Sequence, residues 1–125
     1  MPNITLETTS NVKMGFQSFF KELCEELVGT GHAPMLGMKC RVVSSDEFYI
    51  VNGNKDFKMV NLLFRLREGR SDETLLQFSE IGMELLKKYL NTDVEEKSII
   101  LSTEIRQLKK GQDLTFNSIR QRDQI

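Results

Sequence analysis

Met1-Pro2-Asn3-Ile4-Thr5-Leu6-Glu7-Thr8 opens the chain, and the alternation of Ile4 and Leu6 with Asn3, Thr5 and Glu7 predicts a half-buried strand. A strand beginning so early holds Pro2 at the rigid tip of a sheet. Proline suits such a place, because its missing N–H costs no ladder bond at a strand end. Removal of Met1 adds a second reading. The ring nitrogen then becomes a secondary amine, and an α-amino group titrates at about pH 7.7–8.0 before any perturbation. Pro2 is thus either a strand terminus or a fixed base close to working pH.

Outward from this strand, the 125 residues suit one domain over 1–125 with a core of its own. Charged residues make up 28% and hydrophobic residues 39%, ordinary for a globular chain. No apolar run approaches the length of a membrane span. A net charge of -1, with no basic stripe, argues against a nucleic-acid partner. No secretory signal is visible, so the expected location is the cytoplasm. Cys24 and Cys40 are too few for a disulfide framework, and no CxxC spacing offers a metal site. Neither a metal nor another cofactor is expected.

After the first strand, Ser10 or Asn11 is expected to cap a helix carrying Phe16, Phe20, Leu23, Leu27 and Val28 at helical spacing, stopped by Gly29 and Gly31. Cys24 falls on its apolar stripe as a packed small hydrophobe. His32, the lone histidine, reads as an exposed turn residue. Residues 38–51 read as a long strand in which Lys39 and Arg41 share one face and Met38, Cys40 and Val42 the other. Two cations on one face make either a solvated surface or an anion clamp. Asn52-Gly53 is a strong hairpin dipeptide, and residues 56–67 follow as a central strand. Ser71 as N-cap, Asp72 and Glu73 in the first turn, and Leu75, Phe78, Leu85, Leu86 and Tyr89 behind them predict a helix from Asp72 to about Leu90. Arg70 stands just before that helix start, where free N–H groups already favour an anion. It either joins an anion site or neutralises Asp72 or Glu73. Residues 97–108 read as a fourth strand, Leu114-Thr115-Phe116 as an apolar patch that pairs with something, and 120–125 as loose.

Divided near Asn54, the chain gives strand, helix, strand twice, with halves of about 1–54 and 55–116 and a tail of 117–125. The crossover rule makes each half a parallel pair bridged by a helix. The expected fold is α+β: a tandem β-α-β repeat with a four-stranded mixed sheet and two helices on one face. Its open face, with apolar residues on it, asks for a partner, and self-association with the sheets turned inward is expected. A dimeric ferredoxin-like sheet domain has the same element counts.

Four motifs occur in order: Met-Pro-x-x-x-x-Glu; Thr30-Gly31-x-x-Pro34-x-x-Gly37-x-Lys39-x-Arg41-Val42; Gly69-Arg70-Ser71-x-Glu73; and Ser102-x-Glu104-Ile105. Together they resemble the 5-carboxymethyl-2-hydroxymuconate isomerase family of the tautomerase superfamily, from Met1 to about Phe116. The resemblance implies a homotrimer of β-α-β repeats and a cofactor-free isomerase or tautomerase acting on an unsaturated dicarboxylic acid. It also implies Pro2 as general acid and base, with Lys39, Arg41 and Arg70 as carboxylate holders. Lysine at position 39 departs from the arginine usual in the family, offering a point charge in place of a planar fork. The alternative from another class is a trimeric binding or assembly module that keeps the fold without the activity.

Overall fold

Ile4 and Leu6 are fully buried and Glu7 is exposed, as a sheet covered on one side requires, while Thr5 on the open face is buried as well, so the alternation read from the opening stretch is incomplete. The computed structural model describes residues 2–123, which leaves Met1 and the last two residues of the expected loose tail outside them. Strand β1 is Asn3–Thr9, followed by helix α1 (Phe16–Gly29), β2 (Lys39–Ser45), β3 (Lys58–Arg67), α2 (Asp72–Tyr89), a short α3 (Asn91–Glu95) and β4 (Ile99–Leu108). The sheet order is β2-β1-β3-β4. β1 runs parallel to β2, β3 parallel to β4, and β1 antiparallel to β3. This is the expected doubled β-α-β unit.

The core lies between one sheet face and the helices. Ile4, Leu6, Val60, Leu62, Phe64 and Leu66 from the strands meet Phe19, Leu23 and Leu27 of α1 and Phe78 and Leu86 of α2. Edge-on contact of Phe19 with Tyr89, at 5.4 Å between ring centroids, and bonds from Tyr89 and Lys88 to Glu22 join the helices. Ser71 caps α2 as expected, its hydroxyl accepting from the Thr74 N–H. Among the described residues no helix is long and apolar enough to cross a membrane.

Several expectations are corrected. Gly15, not Ser10 or Asn11, stands at the N-cap of α1; Asn11 instead donates to the carbonyls of Lys55 and Phe57 and pins the loop before β3. The strand expected over 38–51 ends at Ser45, since the chain turns through a left-handed Val51 and Gly53. Asn52-Gly53 makes no hairpin between neighbouring strands, because β3 pairs with β1 rather than β2. Leu114 and Phe116 are exposed and belong to no strand. The tail forms a 3-10 turn at Ser118–Gln121.

Candidate active site at the Pro2 end of the sheet

The strand registers arrange the open sheet face in transverse rows. The row nearest Pro2 reads Lys39, Asn3, Arg65, Arg106 across β2, β1, β3 and β4. The next reads Arg41, Thr5, Leu63, Glu104, and the third Val43, Glu7, Asn61, Ser102. Beyond these lie exposed Met59 and Ile100. One end of the face is therefore cationic and the other apolar. In the middle, the Asn61 amide donates to both Glu7 and Glu104. That bond first, then Arg106, holds the Glu104 carboxyl below its ordinary pKa.

Pro2 is buried at the head of β1, its carbonyl accepting from the Lys39 N–H at 3.4 Å. Beside it opens a cavity of about 150 Å³ lined by Asn3, Lys39, Arg65, Arg67, Asp113 and Thr115, with Leu66 and Leu108 as its apolar wall. The turn Lys109–Gln112, which uses a left-handed Gly111, returns the chain so that Asp113 meets Arg67. The Arg67 Nε lies 3.2 Å from both carboxylate oxygens and its terminal nitrogen 3.1 Å from one. Asn117 fastens the tail to the other side of the entrance, donating to the Leu36 carbonyl at 2.7 Å.

Of the expected site residues, Lys39 lines this cavity. Arg41 stands one row further along the same face, donating to the Asn3 side-chain oxygen at 3.0 Å. The shared face read from the sequence is thus present, and Cys40 and Val42 pack toward the core. Arg70 is placed differently from either reading made of it. Its Nε donates to the His32 carbonyl at 3.0 Å and a terminal nitrogen to the Arg67 carbonyl at 3.4 Å, while its guanidinium stacks over Phe78, 5.6 Å from the ring centroid. Partial burial lowers its pKa from the ordinary value, though a guanidinium stays charged. Arg70 does not line the cavity; it braces the backbone that carries Arg67. The exposed His32 side chain takes no part, but its carbonyl holds Arg70.

Arg65, Arg67 and Asp113 were not among the expected site residues. The first two carry a legible signal, Phe64-Arg65-Leu66-Arg67, the same period of two that marks Lys39 and Arg41. Asp113 carries none, since its partner lies 46 residues away. Among the described residues no group of three or more His, Cys, Asp or Glu side chains is placed to hold a metal ion. What the arrangement offers is a small cavity lined by three cations and one carboxylate, at the same end of the sheet as the proline that heads β1.

The family model described as 5-carboxymethyl-2-hydroxymuconate isomerase matches residues 2–122. The chain is 26% identical over 121 residues to the 5-carboxymethyl-2-hydroxymuconate Delta-isomerase of Escherichia coli, covering 95% of this chain and 96% of that one. Its backbone is similar to that of a 5-carboxymethyl-2-hydroxymuconate isomerase from Deinococcus radiodurans R1, with a TM-score of 0.87 at 21% identity over 98% of this chain and 95% of the other. It is also similar to a structure described as a fused 4-OT wild type symmetric trimer, with a TM-score of 0.64 at 14% identity over 91% of each chain.

Proposed function

Because the chain belongs to the 5-carboxymethyl-2-hydroxymuconate isomerase family, and is on that ground an isomerase, we propose that the nitrogen of Pro2, freed by cleavage of Met1, moves a proton between two carbons of an unsaturated carboxylic acid without a cofactor. The observation that carries this reading is the position of Pro2 at the head of β1, in the same corner as the cavity lined by Lys39 and Arg65. A free amine takes a proton from a carbon next to a carbonyl, negative charge develops on the enolate oxygen, and the same nitrogen returns the proton at another carbon. Cations already in place stabilise the developing charge without reorganising. Lys39 is the nearest holder and Arg41 the next along the face, while Arg70 acts from outside the cavity, holding the backbone at His32 and Arg67 in place.

The active particle is a homotrimer in this reading, in the cytoplasm. Its support is the likeness to a structure described as a trimer and the exposed Val43, Met59 and Ile100 on the open face, which neighbouring copies would cover.

A spectrophotometric enol-to-keto assay tests the mechanism. Protein with Met1 retained has an amide at Pro2, and its rate is expected to be lower by about 100-fold or more than that of Met-free protein, the size of a lost general base. Intact mass identifies which form is assayed. Below an amine pKa of about 8 the rate should fall tenfold per pH unit, since the protonated nitrogen accepts nothing. Equal rates for blocked and free protein, or unchanged rates in both Pro2→Ala and Arg70→Ala, would overturn the reading. A binding module tolerates the block.

A further inference from the structure

Away from the Pro2 cavity, α1 and β2 meet through the chain's two cysteines. Cys24 lies on α1 next to the fully buried Leu23. Cys40 stands between Lys39 and Arg41 on β2, with its side chain toward the core. The two residues are 16 apart along the chain, and their sulfurs are 3.6 Å apart. A disulfide bond is about 2.05 Å long, so closing the pair takes roughly 1.5 Å of movement. Both residues are half-buried, which leaves them within reach of a solute as small as a peroxide. β2 is an edge strand with β1 as its one neighbour in the sheet, so it can give where a central strand cannot.

We propose that Cys24 and Cys40 are a peroxide-operated pair, which a hydroperoxide closes to an intramolecular disulfide that draws β2 toward α1 and shifts Lys39 and Arg41 out of place. The effect on the anion holders rests on the reading of the Pro2 end as the active site; the closure does not. Two bonds that join β2 to the head of β1 lie beside Cys40. One runs from the Lys39 N–H to the Pro2 carbonyl, already long at 3.4 Å. The other runs from Arg41 to the Asn3 side-chain oxygen at 3.0 Å. A pull on Cys40 loads both.

The thiols divide the chemistry between them. Cys24 gives up its proton more readily than an ordinary thiol, because Cys40 donates a hydrogen bond to its sulfur, and the thiolate is the nucleophile. With hydrogen peroxide, the Cys24 sulfur bonds to one oxygen and the O–O bond breaks. The departing hydroxide takes up the proton that Cys24 released and becomes water. The sulfenic acid left on Cys24 is neutral, so the negative charge that kept the proton on Cys40 is gone. The Cys40 sulfur then attacks the Cys24 sulfur, and the S–O bond breaks. The hydroxide released takes the Cys40 proton as a second water. Each sulfur has supplied one electron, and one peroxide has become two waters.

Reduced full-length protein treated with a slight excess of hydrogen peroxide is followed by intact mass and by calorimetry with muconate as the anionic probe. The wild-type protein is expected to lose the mass of two hydrogens within a single chain and to give a Cys24–Cys40 linked peptide on digestion. Its binding of muconate should weaken about tenfold, the factor one charge-assisted contact supplies. Dithiothreitol should restore both, which a thiol does not do for oxidised methionine. Cys40→Ser keeps the attacking sulfur without a resolving thiol. After peroxide it should take up dimedone at Cys24 and bind muconate as before treatment. Cys24→Ser should leave Cys40 unmodified. No loss of mass, a disulfide between chains in place of one within a chain, or closed protein that binds muconate as tightly as reduced protein overturns the proposal. Mass, trapping and binding are read without turnover, so a failure of the Pro2 mechanism leaves them intact.

Discussion

At Cys24 and Cys40 two half-buried thiols face each other with their sulfurs 3.6 Å apart, one on α1 and one on β2. Cys24 was read as a packed small hydrophobe and Cys40 as sharing a strand face with Met38 and Val42, and as packing they join helix to strand. The contact also sets their titration. The Cys24 thiol is held below its ordinary range by the hydrogen bond that Cys40 donates to it. The same bond, with burial, pushes Cys40 well above its range. One thiolate per chain is therefore expected to form first, on Cys24. Limited alkylation with iodoacetamide as pH rises through about 8 to 9, followed by peptide mapping, should label Cys24 ahead of Cys40. Cys40→Ala should shift Cys24 labelling to higher pH, since the thiolate loses its donor, whereas Cys40→Ser keeps an O–H there and should shift it less. Equal labelling of both residues at all pH values would refute the shared proton.

Among the elements, α2 packs closest to the sheet, and Gly82 marks the point of approach. A Cβ built there would stand 2.8 Å from a Leu62 methyl and 3.2 Å from the Phe64 ring, both fully buried. Alanine gains about 1 kcal/mol over glycine in a helix interior, but forcing atoms into a filled core costs about 1–3 kcal/mol. Gly82→Ala is therefore expected to lose about 1 kcal/mol net, read as a lower urea midpoint; a raised midpoint would show that helix and sheet have room to part. Much of this layer was legible. Ile4 and Leu6, the apolar spacing of α2, and Ser71 with Asp72 and Glu73 are local signals, and each predicted its element. Lys39 and Arg41 were placed on one face by period alone. What was not legible is non-local. Phe48-Tyr49-Ile50-Val51 has strand-forming side chains, yet Ile50 folds inward while Tyr49 and Val51 stay exposed. β3 lies beside β1 because of pairing between residues as far apart as Asn3 and Arg65, which no dipeptide at the turn reveals. Asp113 reaches Arg67 only after the chain has turned back at Gly111.

On the scale of the whole molecule, cationic and exposed apolar side chains occupy opposite ends of one sheet face. The cationic row lies next to Pro2, while Val43, Met59 and Ile100, each between 42% and 49% exposed, lie toward the far edge. Ile100→Asp is expected to weaken self-association at least about tenfold, the effect of placing a charge at an interface centre, with the far-ultraviolet spectrum unchanged. Sedimentation velocity across a dilution series measures it, and an unaltered oligomer would move the interface elsewhere. Glu7, Asn61 and Glu104 lie between the two regions, so a change at Ile100 is not expected to alter turnover within the assembled protein. The returning tail has a practical consequence as well. With Asp113 and Thr115 at the cavity and Pro2 at the head of β1, the start of the first strand and the returning segment share one corner. A purification handle or dye fused ahead of Pro2 acylates the ring nitrogen. Attachment to a surface or a fluorophore is better made at Tyr49, 76% exposed in the loop between β2 and β3.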